Sequence, residues 1–148
     1  MLSDTPSQTI FNLTADGLAC ERPGVLRDYA GWSVGKRRKL NVCRFMAERI
    51  APRYMFPLSF RYGDRPVTSD ELIAELERIL LEVSAERAFL MASKDWDQRQ
   101  IVRREIAEAI SKRLVGRFTV VQVDNSEELL RRSSGGSGTW WETGQMAP

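Results

Sequence analysis

The stretch TSDELIAELERILLEV, residues 68–83, decides the fold because it specifies both the start of a helix and its buried face. Thr68 and Glu71 have the spacing of a capping box, in which a hydroxyl and a carboxylate each accept a hydrogen bond from the other residue's backbone amide. Apolar residues then recur at helical spacing, namely Leu72, Leu76, Ile79, Leu80 and Val83. These features predict a helix from residue 69 to about residue 91.

A second long helix is predicted directly after the first. Ser93 or Asp95 can cap its start, and Gly116 is expected to end it near residue 115. Its inner face is expected to contain Val102, Ile106, Ala109 and Ile110. Because a short connection joins the two helices, we expect them to pack as an antiparallel helix hairpin.

Three strands are predicted outside this hairpin. Residues 8–14 are β-prone and end at a turn signal, residues 54–62 alternate large apolar side chains, and residues 117–123 form a second apolar run. Pro57 has no backbone donor, which favours an edge position or a bulge for the strand at 54–62.

A third helix is predicted over residues 36–51, where Leu40, Cys43 and Ile50 recur at helical spacing before Pro52. Residues 17–35 are expected to be irregular apart from one helical turn. The predicted fold class is therefore α+β: an antiparallel helix hairpin plus a third helix packed on a small three- to four-stranded sheet, with a flexible C-terminal tail.

The composition changes sharply after residue 132. The run SSGGSG at residues 133–138 predicts a flexible linker, so we expect a single α+β domain over residues 1–132 and a docking tail over residues 133–148. Tryptophan is over-represented among binding hot spots, so the predicted partner-binding residues are Trp140, Trp141 and Met146. The tail could occupy a groove of its own domain, dock onto another chain, or stack on nucleic-acid bases.

Charge is segregated along the chain although the net charge is only +2. Residues 36–53 carry seven basic side chains and one acidic one, whereas residues 64–86 carry seven acidic and two basic ones. The two segments could face each other, within the chain or between subunits. Alternatively, the basic segment could bind anions or nucleic acid through Lys36, Arg37, Arg38, Arg44 and Arg49.

The residue types exclude several kinds of chemistry. None of the 148 residues is histidine, which removes Ser-His and Cys-His catalysis and every metal site that needs imidazole. Cys20 and Cys43 are too few for a structural zinc site without histidine. The run from Gly31 to Arg37 has three residues between its glycines where a phosphate loop needs four. No metal and no cofactor is predicted.

These observations favour a non-catalytic interaction or assembly protein from a bacterium or phage, which docks onto a partner or neighbouring subunit through its tryptophan tail. We expect a cytoplasmic protein without a membrane partner, because the sequence has neither a secretory signal pattern nor an apolar run long enough to span a bilayer. Two alternatives remain open at this point: a nucleic-acid-binding accessory factor that uses residues 36–53, and an inhibitor of a host enzyme or immunity complex.

Overall fold

A computed structural model describes residues 5–32 and 38–123. Six helices and a three-stranded antiparallel sheet lie within these ranges, which confirms the α+β fold class. In chain order the elements are α1 (Pro6–Ala19), α2 (Pro23–Ala30), α3 (Val42–Tyr54), β1 (Leu58–Tyr62), β2 (Arg65–Pro66), α4 (Ser69–Glu82), α5 (Ala85–Met91), α6 (Trp96–Arg117) and β3 (Thr119–Gln122).

The predicted capping box of α4 is confirmed. The Glu71 amide donates to Thr68 Oγ1 at 3.1 Å, and the Thr68 amide donates to Glu71 Oε1 at 2.9 Å. The prediction that this helix continues to residue 91 was wrong. Val83 has an extended backbone, and the Ser84 hydroxyl accepts from the Arg87 amide and starts the separate helix α5.

The predicted strand at residues 8–14 is wrong, because this segment belongs to α1. The Thr5 hydroxyl accepts from the Gln8 amide at 3.1 Å and Pro6 occupies the first turn, so the helix start is well defined. Ile10, Thr14 and Leu18 are fully buried at four-residue spacing on one helix face. Local β-propensity was therefore overridden by packing on one face.

The boundaries of α2 and α3 also differ from the prediction. Pro23 begins α2 rather than breaking structure, and Gly31, with a φ of 78°, ends it in the left-handed conformation. Helix α3 begins at Val42 instead of residue 36, because Asn41 has a φ of 68° and cannot continue a right-handed helix. Pro52 lies inside the last turn of α3, which ends at Tyr54.

The sheet has the order β2-β1-β3, with β1 in the centre. The predicted strand at 54–62 is shortened to Leu58–Tyr62. The expected edge position was wrong, because β1 pairs with a strand on each side. Pro57 precedes the strand, and its carbonyl accepts from the Val123 amide at 2.9 Å. A two-residue turn joins β1 to β2 and places Tyr62 opposite Arg65. Gly63 supplies the positive φ, 64°, that such a turn needs.

One continuous hydrophobic core joins these elements. Helix α1 packs against α3 and α6, α3 packs against α4, and α5 lies against α2 and α6. Helix α1, which includes residues 8–14, thus makes much of the contact with α6 that the predicted hairpin assigned to the helix at residues 69–91. Among the described residues, no helix is long and apolar enough to cross a membrane.

Candidate interaction surfaces

Arg38 was predicted to lie on the helix at residues 36–51, but it lies outside a helix and precedes α3. Its guanidinium donates to four backbone carbonyls: Tyr29 at 2.8 Å, Leu80 at 3.3 Å, Leu81 at 3.2 Å and Val83 at 2.9 Å. The guanidinium carbon also lies 4.3 Å from the centre of the Tyr29 ring. Since three of the carbonyls belong to the C-terminal end of α4, Arg38 caps that helix.

Arg44 and Arg49 project from α3 and form ion pairs with acidic side chains of the same chain. Arg44 Nε lies 3.2 Å from Glu48 Oε2, and Arg44 Nη1 lies 3.6 Å from Oε1 of Glu77 in α4. Arg49 Nε lies 3.3 Å from a carboxylate oxygen of Glu21, whose side chain is 2% exposed. The described arginines of the basic segment that we singled out therefore each have an internal partner.

Five of the predicted site residues lie outside the described residues: Lys36, Arg37, Trp140, Trp141 and Met146. Their assignment as anion-binding or partner-binding residues stays a prediction, as does the domain boundary at residue 132.

The acidic segment meets α6 at two points and α3 at one. Glu75 pairs with Arg117 at 3.1 Å, and Glu82 pairs with Arg113 at 2.5 Å. The contact between Arg44 and Glu77 joins it to the basic segment. Part of the acidic segment is thus paired within the chain, with α6 at two of these three contacts.

An open groove of about 700 Å³ runs between the end of α4, α5 and the middle of α6. Its floor is apolar: Ile79 and Ile106 are buried beneath it, with Val83 and Ala109 beside them. This volume lies within the range of pockets that bind drug-sized molecules.

Ion pairs form the rim of this groove. Arg113 of α6 binds Glu82 of α4, and Arg87 of α5 binds Glu105 of α6. The Arg113 guanidinium holds the pKa of the Glu82 carboxyl below its usual value, and the same hydrogen bond raises the pKa of Arg113. The pair of Arg113 and Glu82 therefore stays charged at neutral pH, while the floor of the groove offers apolar contact.

Helix α5 also carries an exposed aromatic contact. The rings of Phe89 and Trp32 are 5.0 Å apart, and the two residues are 50% and 38% exposed. Aromatic side chains of this size are enriched at protein interfaces. Helix α5 thus contributes to the rim of the groove through Arg87 and to an exposed aromatic surface through Phe89.

The sequence did not indicate the groove, because its residues come from three helices that meet only after folding.

Of the two residues predicted to cap α6, Ser93 and Asp95, the cap is Asp95, which accepts from the Gln98 amide at 3.2 Å. In residues 5–32 and 38–123, no group of three or more cysteine, aspartate and glutamate side chains is placed to hold a metal ion.

Comparisons with protein-family models, curated proteins and solved structures found no match for this chain. Its function is therefore inferred from its own residues.

Proposed function

We propose that this chain is a non-catalytic assembly protein, in which the Trp140–Trp141 segment of one copy binds the groove between α4, α5 and α6 of a neighbouring copy. The observation that carries the proposal is this groove, since its apolar floor lies open between ion pairs. The chain itself contains an apolar segment of suitable chemistry, Trp-Trp-Glu at residues 140–142.

The energetics favour burial of the tryptophans. An aromatic side chain of this size buries about 150–250 Å² of surface. At about 25 cal/mol per Å², that is worth ~4–6 kcal/mol before the cost of ordering the segment. The rim is balanced in charge, since Arg87, Lys112 and Arg113 pair with Glu105, Glu108 and Glu82, so the apolar floor supplies the attraction for the tryptophans.

The length of chain is sufficient for exchange between copies. Sixteen residues separate Val123 from Trp140. This connection can span at most about 60 Å when extended, whereas a domain of about 120 residues has a radius of gyration of about 14 Å. Exchange of an identical element between protomers is a low-cost route to assembly.

A complementation experiment tests this proposal. One variant carries Trp140→Ala and Trp141→Ala and can still receive a segment; the other carries Ala109→Arg, which places a long charged side chain in the groove, and can still donate one. Ala109 is an exposed residue of α6, so the substitution should not disturb the core. Ala85→Arg, at an exposed position that does not line the groove, is the matched control.

We expect each variant alone to lose self-association and an equal mixture of the two to regain pairs, measured by co-purification of tagged and untagged copies. Association that survives both variants would rule the interface out. Capture of a different protein by the wild type and not by the tryptophan variant would assign the segment to another partner and overturn self-assembly.

Of the alternatives, nucleic-acid binding by residues 36–53 gains no support from the contacts of Arg38, Arg44 and Arg49, and remains a prediction. Inhibition of a host enzyme or immunity complex also remains a prediction.

We place the proposed function in the cytoplasm, which keeps thiols reduced. In support, Cys20 and Cys43 are both free, and burial raises the pKa of the Cys43 thiol to about 11.

A further inference from the structure

Two adjoining clefts open beside the exposed ring of Tyr62, at the end of β1. One has a volume of about 370 Å³ and the other about 490 Å³. Both are lined by Tyr62, Glu75, Arg78 and Arg117, so they form one continuous surface, which we call the Tyr62 cleft. It is distinct from the α4–α5–α6 groove, although Lys112 and Arg113 contribute to both.

A buried carboxylate positions two arginines in this cleft. The side chain of Glu75 is 5% exposed, and the same oxygen, Oε1, binds Arg78 and Arg117. The two arginine side chains are themselves 53% and 48% exposed. Each guanidinium has five N–H donors and the contact with Glu75 engages one nitrogen of each, so further donors remain for a ligand.

The Tyr62 ring contacts two of the cleft's guanidinium groups, those of Arg65 and Arg117. The guanidinium carbons of Arg65 and Arg117 each lie 5.6 Å from the centre of its ring. The ring of Phe118 packs edge-on against Tyr62, with the ring centres 6.3 Å apart. Arginine side chains held in this way lose less conformational entropy when they bind an anion.

The lining residues include more basic than acidic side chains. Five basic side chains and two acidic ones line the two clefts together. Lys112 and Arg113 also pair with Glu108 and Glu82 beside the clefts, which leaves a local formal excess of one positive charge. The basic residues are Arg65, Arg78, Lys112, Arg113 and Arg117. Planar guanidinium groups match phosphate oxygens with paired hydrogen bonds.

We propose that the Tyr62 cleft binds a ligand with two or more adjacent phosphate groups, held chiefly by Arg78 and Arg117. Such groups occur in a nucleoside triphosphate and along a single strand of nucleic acid. In the cleft, Arg78 and Arg117 share a single carboxylate oxygen, whereas in the basic segment at residues 36–53 Arg38, Arg44 and Arg49 each have partners of their own.

The test compares two triple variants of the full chain. Glu75→Gln with Arg78→Gln and Arg117→Gln removes the whole ion cluster, so no buried charge is left alone. The control, Arg44→Gln with Glu48→Gln and Arg87→Gln, removes the same number of charges of each sign from exposed ion pairs outside the cleft. The probes are a fluorescent oligo(dT) of about 12 nucleotides, adenosine triphosphate and inorganic phosphate, at about 50 mM salt.

We expect the cleft variant to lose at least tenfold in affinity for the oligonucleotide or the triphosphate, and the control to lose less than twofold. For the oligonucleotide, the slope of log affinity against log salt should fall by about 1.4, since each phosphate contact on a single strand contributes about 0.7. Tighter binding of the oligonucleotide assigns the cleft to a nucleic-acid strand, and tighter binding of the triphosphate assigns it to a free nucleotide.

Equal losses in the two triple variants would overturn the proposal, and so would a wild-type affinity for both larger probes no higher than that for inorganic phosphate. If the cleft variant does not fold, Lys112→Gln takes its place, because the Lys112 side chain is 75% exposed. Lys112→Gln should lose two- to fivefold in affinity, and an unchanged affinity would count against the site.

Discussion

The hydroxyl groups of Thr14 and Tyr54 meet inside the core, where α1 crosses α3. Their oxygens are 2.5 Å apart, and Thr14 Oγ1 donates to the Ile10 carbonyl at 2.6 Å. The single proton of the threonine hydroxyl is therefore engaged, so the tyrosine hydroxyl donates to Thr14. Both residues are fully buried, and burial raises the pKa of Tyr54 above its ordinary value. The contact is thus asymmetric: the Tyr54 hydroxyl needs Thr14 as its acceptor, whereas the Thr14 hydroxyl has the Ile10 carbonyl as an acceptor of its own.

This asymmetry predicts unequal effects of removing the two hydroxyls. Thr14→Val leaves the buried Tyr54 hydroxyl without its acceptor and should lower the free energy of unfolding by about 2 kcal/mol. Tyr54→Phe leaves the bond from Thr14 to Ile10 in place and should cost about 1 kcal/mol. Urea denaturation measures both, and the double variant should be less destabilised than the sum. A larger cost for Tyr54→Phe would contradict the donor assignment.

At the scale of elements, the end of α4 depends on a side chain that is distant in sequence. Arg38 donates to the carbonyls of Leu80, Leu81 and Val83, and the Tyr29 hydroxyl donates to Leu80 at 2.7 Å. The last carbonyls of a helix have no partner within it, and here Tyr29 of α2 and Arg38, which precedes α3, donate to them. The same contacts explain why α4 and α5 are separate helices.

Removal of the Arg38 guanidinium should destabilise the fold more than removal of an exposed ion pair. We expect Arg38→Met, which keeps an apolar stem, to lower the free energy of unfolding by about 2–3 kcal/mol, because several hydrogen bonds to a charged group are lost. Arg87→Met removes an exposed ion pair with Glu105 and should cost less than about 1 kcal/mol. Chemical denaturation distinguishes the two, and equal costs would show that Arg38 does not cap the helix.

The start of α4 should make stability depend on pH in the acid range. The Arg65 guanidinium binds Glu71 through two hydrogen bonds of 2.8 and 2.7 Å and, together with the Thr68 amide, lowers the pKa of Glu71 to about 2. A depressed pKa in the folded state means that this stabilisation is complete above the unfolded pKa of about 4.3. It is lost as the pH falls through about 2.

We therefore expect the urea midpoint of the wild type to fall between pH 4.3 and pH 2, and that of Glu71→Gln to fall less over the same interval. Glu86→Gln, at an exposed position in the first turn of α5, is the control and should retain the wild-type pH dependence. Parallel curves for wild type and Glu71→Gln would show that the carboxylate does not contribute in this way.

At the scale of the whole molecule, the sequence predicted the elements whose signals are local. The Thr68–Glu71 capping box and the apolar spacing after it lie within one element, so α4 began where expected. The strand predicted at residues 8–14 was wrong because β-prone side chains and the Asp16–Gly17 turn signal are also compatible with a helix. Gly17 lies at the crossing of α1 and α3, where an added Cβ would approach Arg53 to 3.2 Å. The need for a small residue at position 17 arises only when α1 packs against α3, so no local pattern reveals it.

The candidate surfaces were harder to predict for the same reason. Arg113 and Arg117 pair with Glu82 and Glu75, which lie more than 30 residues earlier in the chain. The Gly63–Asp64 turn is a hairpin signal that could have placed Tyr62 opposite Arg65. The association of these residues with α6 depends on tertiary contacts, which no local pattern specifies.

The central claim is that the tryptophan segment joins copies of this chain, and light scattering on purified protein tests it most directly. We expect the molar mass of the full chain to exceed that of one 16.9 kDa copy and to rise with concentration. Deletion of residues 134–148 should give a mass of a single copy at every concentration. A full chain that scatters as a single copy throughout, or a deletion variant that keeps the wild-type mass, would contradict the claim.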